Sequence, residues 1–187
     1  ILYQKAIPVL VECEPNTFNI SLSDAEKKIT KKTKAIISVD MNGMPVDYDK
    51  IIKFSKRFKL QFISDSAESL GSTYKNKKIG SIAPIHIFSF FPNKNITTGE
   101  GGVITLSNLK KYKLIKMLRN MGQSSRYHHK ILGYNYRMTD IAATIGIIQL
   151  KKINKILKDK EIIAKKYNKL FKNTSIQTPF IPSYVTQ

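Results

Sequence analysis

The stretch KAIISVDMNGMPVDYDKIIKFSKRFKLQFISD, residues 34–65, decides the fold class. It opens with an apolar run at residues 34–39, which is typical of a strand buried on both faces. Asn42-Gly43 predicts a turn, and residues 47–58 carry apolar side chains at helical intervals. Residues 60–63 predict a second strand. A strand, a helix and a second strand in this order predict an α/β sheet with helices on its faces.

The sequence on either side continues this alternation. It predicts a strand at residues 6–12, a helix that begins near Ser23, strands at residues 85–90 and 102–106, a helix at residues 109–121, and a helix from the N-cap Thr139 through residue 171. We therefore predict an α/β protein, a three-layer α/β/α sandwich around a mostly parallel mixed sheet.

Composition excludes several classes of protein. With 42% hydrophobic residues, the 187-residue chain can bury a core, so it is not a wholly disordered basic tail. A single cysteine excludes an internal disulfide framework and a multi-cysteine zinc site, and we predict no metal site. No apolar run is long enough for a transmembrane helix, and the first residues lack the features of a signal peptide. A cytoplasmic protein without a membrane partner is expected.

The charge of the chain raises the question of a nucleic-acid partner. The formal net charge is +19, but only four of the 32 basic residues are arginine. Proteins that read bases and phosphates favour arginine, because its planar guanidinium makes paired hydrogen bonds. The charge therefore fits a lysine-rich background spread along the chain, and we expect no nucleic acid. A basic nucleic-acid-binding module stays as an alternative.

Two predicted strands are followed by residues with chemical potential. SDSAESLG, residues 64–71, follows one strand, and FPNKNITTGEGG, residues 91–102, follows another. Ligands of α/β sheets gather at such strand ends. A carboxylate at Asp65 and an amine at Lys94 suit an aldehyde cofactor with a basic ring nitrogen, since lysine forms a Schiff base and the carboxylate keeps the ring protonated. From the residues alone, a lysine in such a chain is most often a solvated side chain, and an aspartate at a strand end is most often a turn or cap residue.

The string FSFFPNKNITTGEGGVIT, residues 88–105, resembles the signature of the DegT/DnrJ/EryC1/StrS family. SDSAESLG resembles the aspartate segment of that family, and LGYNYRMTDIAATIGIIQLKKI, residues 132–153, resembles its downstream segment. The preceding stretch, residues 17–51, matches as well, so the resemblance covers nearly the whole chain. It implies a fold-type I, pyridoxal-phosphate-dependent aminotransferase that acts on nucleotide-linked keto-sugars.

The resemblance implies roles for individual residues. Lys94 would be the Schiff-base lysine and would shuttle the proton during transfer. Asp65 would pair with the pyridinium nitrogen of the cofactor, and Ser89 would hydrogen-bond its phosphate. Asn135 would reach the phosphate region of the neighbouring subunit's site, because the family builds its sites across a homodimer interface.

Two further positions carry less direct implications. Glu68 stands where the family commonly has Gln or His beside the ring oxygen of the cofactor. A carboxylate there would repel that oxygen unless it were protonated or turned away. Arg137 would bind substrate, with an ion pair at a helix start as the alternative role.

The activity implied is transfer of an amino group from an amino acid, with L-glutamate expected, to a nucleotide-linked keto-sugar in surface-polysaccharide or amino-deoxysugar biosynthesis. Relatives that are sugar dehydratases carry histidine in place of the lysine, so Lys94 favours transamination over dehydration, which remains the alternative within the family.

Family members are longer than this chain. Residues 1–150 would be the cofactor-binding large domain without its N-terminal part, and residues 151–187 a connecting helix and the start of a truncated small domain, so we expect the 187-residue piece to be inactive alone.

Overall fold

Helices and short strands alternate through residues 1–186, the part of the chain that the computed structural model describes. In chain order they are α1 (Leu22–Lys28), β1 (Ala35–Val39), α2 (Tyr48–Arg57), β2 (Gln61–Asp65), β3 (Thr73–Tyr74), β4 (Lys77–Lys78), β5 (Ile85–Ser89), β6 (Gly102–Leu106), α3 (Leu109–Arg119), β7 (Gln123–Ser125), β8 (His128–His129), α4 (Asp140–Phe171) and β9 (Val185–Thr186).

The main sheet contains four strands in the order β1-β2-β5-β6. β1, β2 and β5 are parallel, and β6 returns antiparallel to β5. The predicted α/β class with a mixed sheet is therefore confirmed. Because parallel strands end at the same edge, the segments after β1, β2 and β5 meet there. Two small sheets, β4-β3-β9 and β7-β8, lie outside the main one.

The hydrophobic core centres on helix α2 and one face of the sheet. Asp47 caps the helix, and its side chain accepts a hydrogen bond from the backbone nitrogen of Lys50. Tyr48 and Ile51 of α2 are fully buried, and Phe62 of β2 is 3% exposed. The helical spacing predicted for residues 47–58 thus turns one apolar face onto the sheet.

The prediction that the strand at residues 34–39 is buried on both faces is wrong for the described chain. Ile36 and Ser38 are buried, whereas Ile37 and Val39 are 42% and 36% exposed. Successive side chains of a strand point to opposite faces. Residues 1–186 cover only one face at this strand, and the apolar residues on the other face stay exposed.

The prediction of a strand at residues 6–12 is also wrong. This segment joins no sheet within residues 1–186, and Ile7 and Leu10 are 88% and 86% exposed. Its polar backbone groups bond instead to side chains of α1: Asp24 accepts from the Glu12 nitrogen, and Lys28 donates to the Leu10 carbonyl. An apolar β-type sequence forms a strand only where a neighbouring strand completes the hydrogen-bond ladder.

Helix α4 is a single helix of 32 residues. Thr139 caps it by accepting a hydrogen bond from the Ala142 nitrogen, as predicted. The helix packs across the loops at the carboxyl edge, where the Leu157 side chain lies so close to Gly71 that a Cβ atom at this position would be 2.4 Å from it. The predicted domain boundary after residue 150 falls inside this helix and stays a prediction. Within residues 1–186, no helix is long and apolar enough to cross a membrane.

We predict that Ile51→Ala lowers the free energy of unfolding by about 2–5 kcal/mol, because truncation of a fully buried side chain leaves a cavity. Ile163→Ala is the matched control, since Ile163 is 52% exposed on α4 and should change stability by less than about 1 kcal/mol. Urea unfolding measures both variants. Equal losses would contradict the placement of the core.

Candidate functional site

The segments after β1, β2 and β5 are tied together at the carboxyl edge of the sheet. The Asp40 nitrogen, just past β1, donates to the carbonyl of Asp65 at 2.9 Å. The Ser66 nitrogen, just past β2, donates to the carbonyl of Ile87 on β5 at 2.9 Å. These bonds continue the parallel ladders beyond the strands, so the residues that follow keep fixed positions relative to one another.

Beneath this edge lies the fully buried carboxylate of Asp40. It accepts hydrogen bonds from the Val46 nitrogen at 2.9 Å, the Tyr48 hydroxyl at 2.8 Å, and the hydroxyls of Ser66 and Ser69 at 2.9 and 2.8 Å. Burial raises the pKa of Asp40, and these hydrogen bonds oppose that rise. The same burial, together with the neighbouring Asp40 charge, raises the pKa of Tyr48 and keeps its hydroxyl protonated.

His86 of β5 completes this buried network. Its Nε2 accepts hydrogen bonds from the backbone nitrogens of Ala83 at 2.8 Å and Ile82 at 3.3 Å. The ring proton therefore resides on Nδ1, which lies 2.9 Å from Ser66 Oγ. Burial lowers the pKa of His86 to about 4, so the ring is neutral at physiological pH. With no exposed surface, His86 serves as a structural group.

Lys94 and Glu68 form the charged pair of the site. Lys94 Nζ lies 3.3 Å from Glu68 Oε1, and the Lys94 side chain is 19% exposed. The other Glu68 oxygen, Oε2, accepts from the backbone nitrogen of Asn42 at 2.7 Å. The carboxylate is thus oriented by two donors. Both side chains line a cavity of about 250 Å³, together with Asn42, Asn93 and Asn95.

The loop that carries Lys94 is held on both sides. Asn95 donates to the Leu70 carbonyl at 2.8 Å, which joins this loop to the segment after β2. The Thr98 nitrogen donates to the Phe90 carbonyl at 3.0 Å and closes the loop at its base. A side chain at Gly102 would lie 2.6 Å from the Phe88 carbonyl, so only glycine allows β6 to return this closely to β5.

Asp65 and Ser89 lie at the ends of adjacent strands. Asp65 is paired with Ile87 in the β2–β5 register, two residues before Ser89. Asp65 Oδ1 accepts from the Ala67 nitrogen at 3.1 Å, and Ser89 Oγ accepts from the Phe91 nitrogen at 3.2 Å. The structure therefore brings Asp65, Ser89 and the loop of Lys94 to one edge of the sheet.

Asn135 and Arg137 are placed elsewhere. Both are exposed, the Arg137 Nε donates to Asn135 Oδ1 at 3.2 Å, and neither residue lines the Lys94 cavity. The alternative ion pair of Arg137 does not form among residues 1–186. Arg137 instead lines a separate cavity of about 850 Å³ beside α3.

Sequence reasoning missed the buried network under the site. Asp40 directly follows β1 and Asp65 is the last residue of β2, so the strand-end position of Asp40 was the available signal. The partners Ser66 and Ser69 are within SDSAESLG, but nothing local shows that their hydroxyls converge on a carboxylate 26 and 29 residues earlier.

Comparison with known proteins places this fold in a family. The sequence model of the DegT/DnrJ/EryC1/StrS aminotransferase family matches residues 1–184. GDP-perosamine synthase of Escherichia coli O157:H7 is 42% identical over 171 residues, which are 90% of this chain and 47% of that protein. The chain therefore belongs to the DegT/DnrJ/EryC1/StrS aminotransferase family, and it spans about half the length of the curated relatives it matches.

Solved structures agree with this assignment. PseC of Helicobacter pylori, an aminotransferase involved in the biosynthesis of pseudoaminic acid, superposes with a TM-score of 0.88 at 35% identity and covers 93% of this chain and 48% of its own. The PLP form of the putative sugar aminotransferase Spr1654 of Streptococcus pneumoniae gives 0.89 at 32% identity, over 98% and 53% of the two chains.

We predict that His86 makes the protein lose stability as the pH falls from about 6.5 towards about 4. In this pH range His86 takes up a proton in the unfolded chain, whereas buried His86 in the folded protein stays neutral. The free energy of unfolding therefore falls by up to roughly 3 kcal/mol. The raised pKa of Asp40 contributes with the opposite sign. The His86 contribution is therefore the difference in slope between wild type and His86→Gln, measured by thermal unfolding at several pH values.

His128→Gln is the matched control, because His128 is exposed in the β7–β8 hairpin. It should leave the slope unchanged. An unaltered slope in His86→Gln would show that His86 titrates alike in both states.

Proposed function

We propose that the protein carrying this chain is a pyridoxal-phosphate-dependent aminotransferase that moves an amino group from an amino acid, L-glutamate, to a nucleotide-linked keto-sugar. The observation that carries the proposal is a shielded Lys94 amine at the edge where Asp65 and Ser89 end their strands. The names of relatives support the substrate class, since they include GDP-perosamine synthases and UDP-sugar transaminases. We place the reaction in surface-polysaccharide or amino-deoxysugar biosynthesis.

The residues at this edge fit pyridoxal phosphate. When bound, the cofactor supplies an electron-withdrawing ring that stabilises negative charge on the carbon losing or gaining a proton. Asp65 Oδ1 is engaged by Ala67, and among residues 1–186 no donor engages Oδ2, which leaves an acceptor for the ring N–H. Ser89 supplies a hydroxyl at the next strand end. The donor set thus offers an amine, a carboxylate and a hydroxyl for the three polar parts of the cofactor.

Lys94 is assigned two roles, the covalent bond to the cofactor aldehyde and proton transfer at the substrate carbon. An amine attacks a carbonyl only in its neutral form. Glu68 Oε1, at 3.3 Å, accepts a hydrogen bond from Lys94 Nζ. It is the carboxylate that balances the positive charge of the lysine when the amine is protonated. Since Asn42 anchors the other oxygen of Glu68, the carboxylate is aimed at the amine.

Asn135 supports a site shared between two subunits. It is exposed and lies outside its own chain's Lys94 cavity, so it is available to a second copy. We propose a homodimer in which Asn135 of one subunit reaches the phosphate region of the other, with Arg137 directed at substrate. Dehydration by the same family fold is the second candidate, and the presence of Lys94 argues against it.

We predict that Lys94→Ala abolishes the change in visible absorption that covalent attachment to the protein gives pyridoxal phosphate in the full-length protein, and with it amination of a nucleotide keto-sugar, because no amine remains to bind the aldehyde. Lys165→Ala is the control for charge, since Lys165 is an exposed residue of α4 paired with Glu161. Amination that survives Lys94→Ala would refute the proposed function.

We predict that Glu68→Gln tightens pyridoxal phosphate binding by about tenfold. The change removes a negative charge that faces an anionic cofactor and releases Lys94 from its ion pair, while the amide oxygen still accepts from Asn42. Titration of the visible absorption measures the affinity. Glu100→Gln, at an exposed position of the same loop, should leave it unchanged. Weaker binding in Glu68→Gln would mean that the carboxylate contacts the cofactor favourably.

A further inference from the structure

Asn95, the residue after Lys94, connects the loop of Lys94 to two other parts of the chain. Its Nδ2 donates to the Leu70 carbonyl at 2.8 Å, and its Oδ1 accepts from Lys160 Nζ of α4 at 2.6 Å. Because a lysine ammonium can only donate, the amide oxygen faces Lys160 and the amide nitrogen faces Leu70. The two partners together therefore fix the orientation of the Asn95 side chain.

Two links join the same two short segments of the chain. Glu68 Oε1 accepts from Lys94 Nζ at 3.3 Å, and the Leu70 carbonyl, two residues further on, accepts from Asn95. The first link is made by the reactive amine itself. The second link is made by the neighbouring side chain, so it leaves the amine free.

The two links differ in how they depend on the charge of the lysine. The contact between Lys94 and Glu68 is an ion pair only while the amine is protonated, and a hydrogen bond to an ionised group is about twice as strong as a neutral one. The bond from Asn95 to Leu70 joins an amide and a carbonyl, which carry no charge. A neutral Lys94, the form that attacks a carbonyl or accepts a proton, leaves the second link unchanged.

Other contacts hold the backbone around Lys94 to its own surroundings. The Lys94 nitrogen donates to the Phe91 carbonyl at 3.0 Å, and Ile96 is 2% exposed. These contacts join the loop to the end of β5 and to the interior. The bond from Asn95 instead reaches the segment that carries Glu68, so it sets the distance between the lysine and that segment.

We propose that Asn95 is a positioning residue that keeps the neutral Lys94 amine in place for proton transfer, with α4 orienting Asn95 through Lys160. The proposal rests on the proposed function, which assigns the proton transfer to Lys94. In the half of the reaction that uses L-glutamate, Lys94 Nζ takes the proton from the donor α-carbon, and the electron pair of that C–H bond passes into the cofactor ring. A displacement of the amine by about 1 Å costs up to roughly a hundredfold in the rate of such a step.

The test compares Asn95→Leu and Asn95→Gln with wild type in the full-length protein. Leucine is close to asparagine in size and removes both hydrogen bonds without a change of charge, whereas glutamine retains an amide. The measured quantity is the rate constant with which L-glutamate converts the bound cofactor, followed by absorption, with ordinary and with α-deuterated glutamate. Asn154→Leu is the matched control, since Asn154 is an exposed asparagine of α4.

We expect Asn95→Leu to slow this conversion by about ten- to a hundredfold at saturating glutamate. The deuterium isotope effect should be at least as large as in wild type, because proton transfer is the step that slows. The affinities for glutamate and for the cofactor should stay as in wild type, and Asn95→Gln should recover part of the rate. Asn154→Leu should behave as wild type does.

Four results would overturn the proposal: an unchanged rate in Asn95→Leu, a smaller isotope effect, a rate in Asn95→Gln as low as in Asn95→Leu, or weaker binding of glutamate or cofactor. The last would make Asn95 a direct ligand contact.

The contribution of α4 is tested with Lys160→Met and its matched control Lys158→Met. Both variants replace an exposed lysine of α4 by an uncharged side chain, and of the two lysines it is Lys160 that bonds to Asn95. Lys160→Met should slow the conversion by about two- to fivefold, as the loss of one exposed hydrogen bond implies. Equal rates in the two variants would overturn the role of α4.

Labelling of Lys94 in the cofactor-free protein separates this proposal from the proposed function. The measurement is the rate at which acetic anhydride modifies Lys94, read by mass spectrometry relative to the exposed Lys165. The Lys94 side chain is 19% exposed, and release of its loop in Asn95→Leu should raise the rate by about fivefold, the factor that a hydrogen bond of about 1 kcal/mol represents. Unchanged labelling would contradict the hold of Asn95 on the loop.

The two failures give different results. If Lys94 binds no cofactor in wild type, the proposed function fails, and the labelling still tests the hold of Asn95 on Lys94. If L-glutamate converts the bound cofactor equally fast in wild type and in Asn95→Leu, the positioning proposal alone fails.

Discussion

The buried carboxylate of Asp40 is the interaction on which the carboxyl edge of the sheet depends. Four donors converge on it, from the segment after β1, from α2 and from the segment after β2. A buried charge is tolerated only when it is hydrogen-bonded this fully. Each donor in turn has its own place fixed, and neutral His86 supports the network from β5 through Ser66. One acceptor therefore sets the mutual positions of three strand ends.

A short segment after β2 connects this buried network to the site at Lys94. Ser66 and Ser69 are bound to Asp40, and Glu68 lies between them with its carboxylate on Lys94 and on the Asn42 nitrogen. Asn42 is itself two residues past Asp40. The residues that line the site and the residues of the buried network thus lie in the same two segments of chain, one after β1 and one after β2. The rigid hydrogen-bond network below the sheet edge fixes the orientation of the polar groups above it. A binding site needs such preorganised groups before a ligand arrives.

Positive charge in this protein has two origins. The lysines lie mostly on exposed helix faces and follow the composition of the whole chain. The arginines are few, and three of them meet at one cavity between α3 and the segment that ends at Arg137. The net charge of +19 by itself does not indicate a binding partner, because lysine on a solvated face and arginine in a concavity differ in what they can bind. Type and position of the basic residue carry the information.

Local patterns determined much of this structure. The α/β class, helix α2, the cap of α4 and the loop of Lys94 follow from periodicity and from short strings, because those features depend on neighbours in the chain. Tertiary structure alone decided the rest. Within residues 1–186, residues 6–12 form no strand because no neighbouring strand pairs with them. In the same part of the chain, β1 is exposed on one face because packing, not composition, determines burial. Glu68 meets Lys94 across 26 residues for the same reason, since contacts between distant segments depend on how the strands are ordered in the sheet.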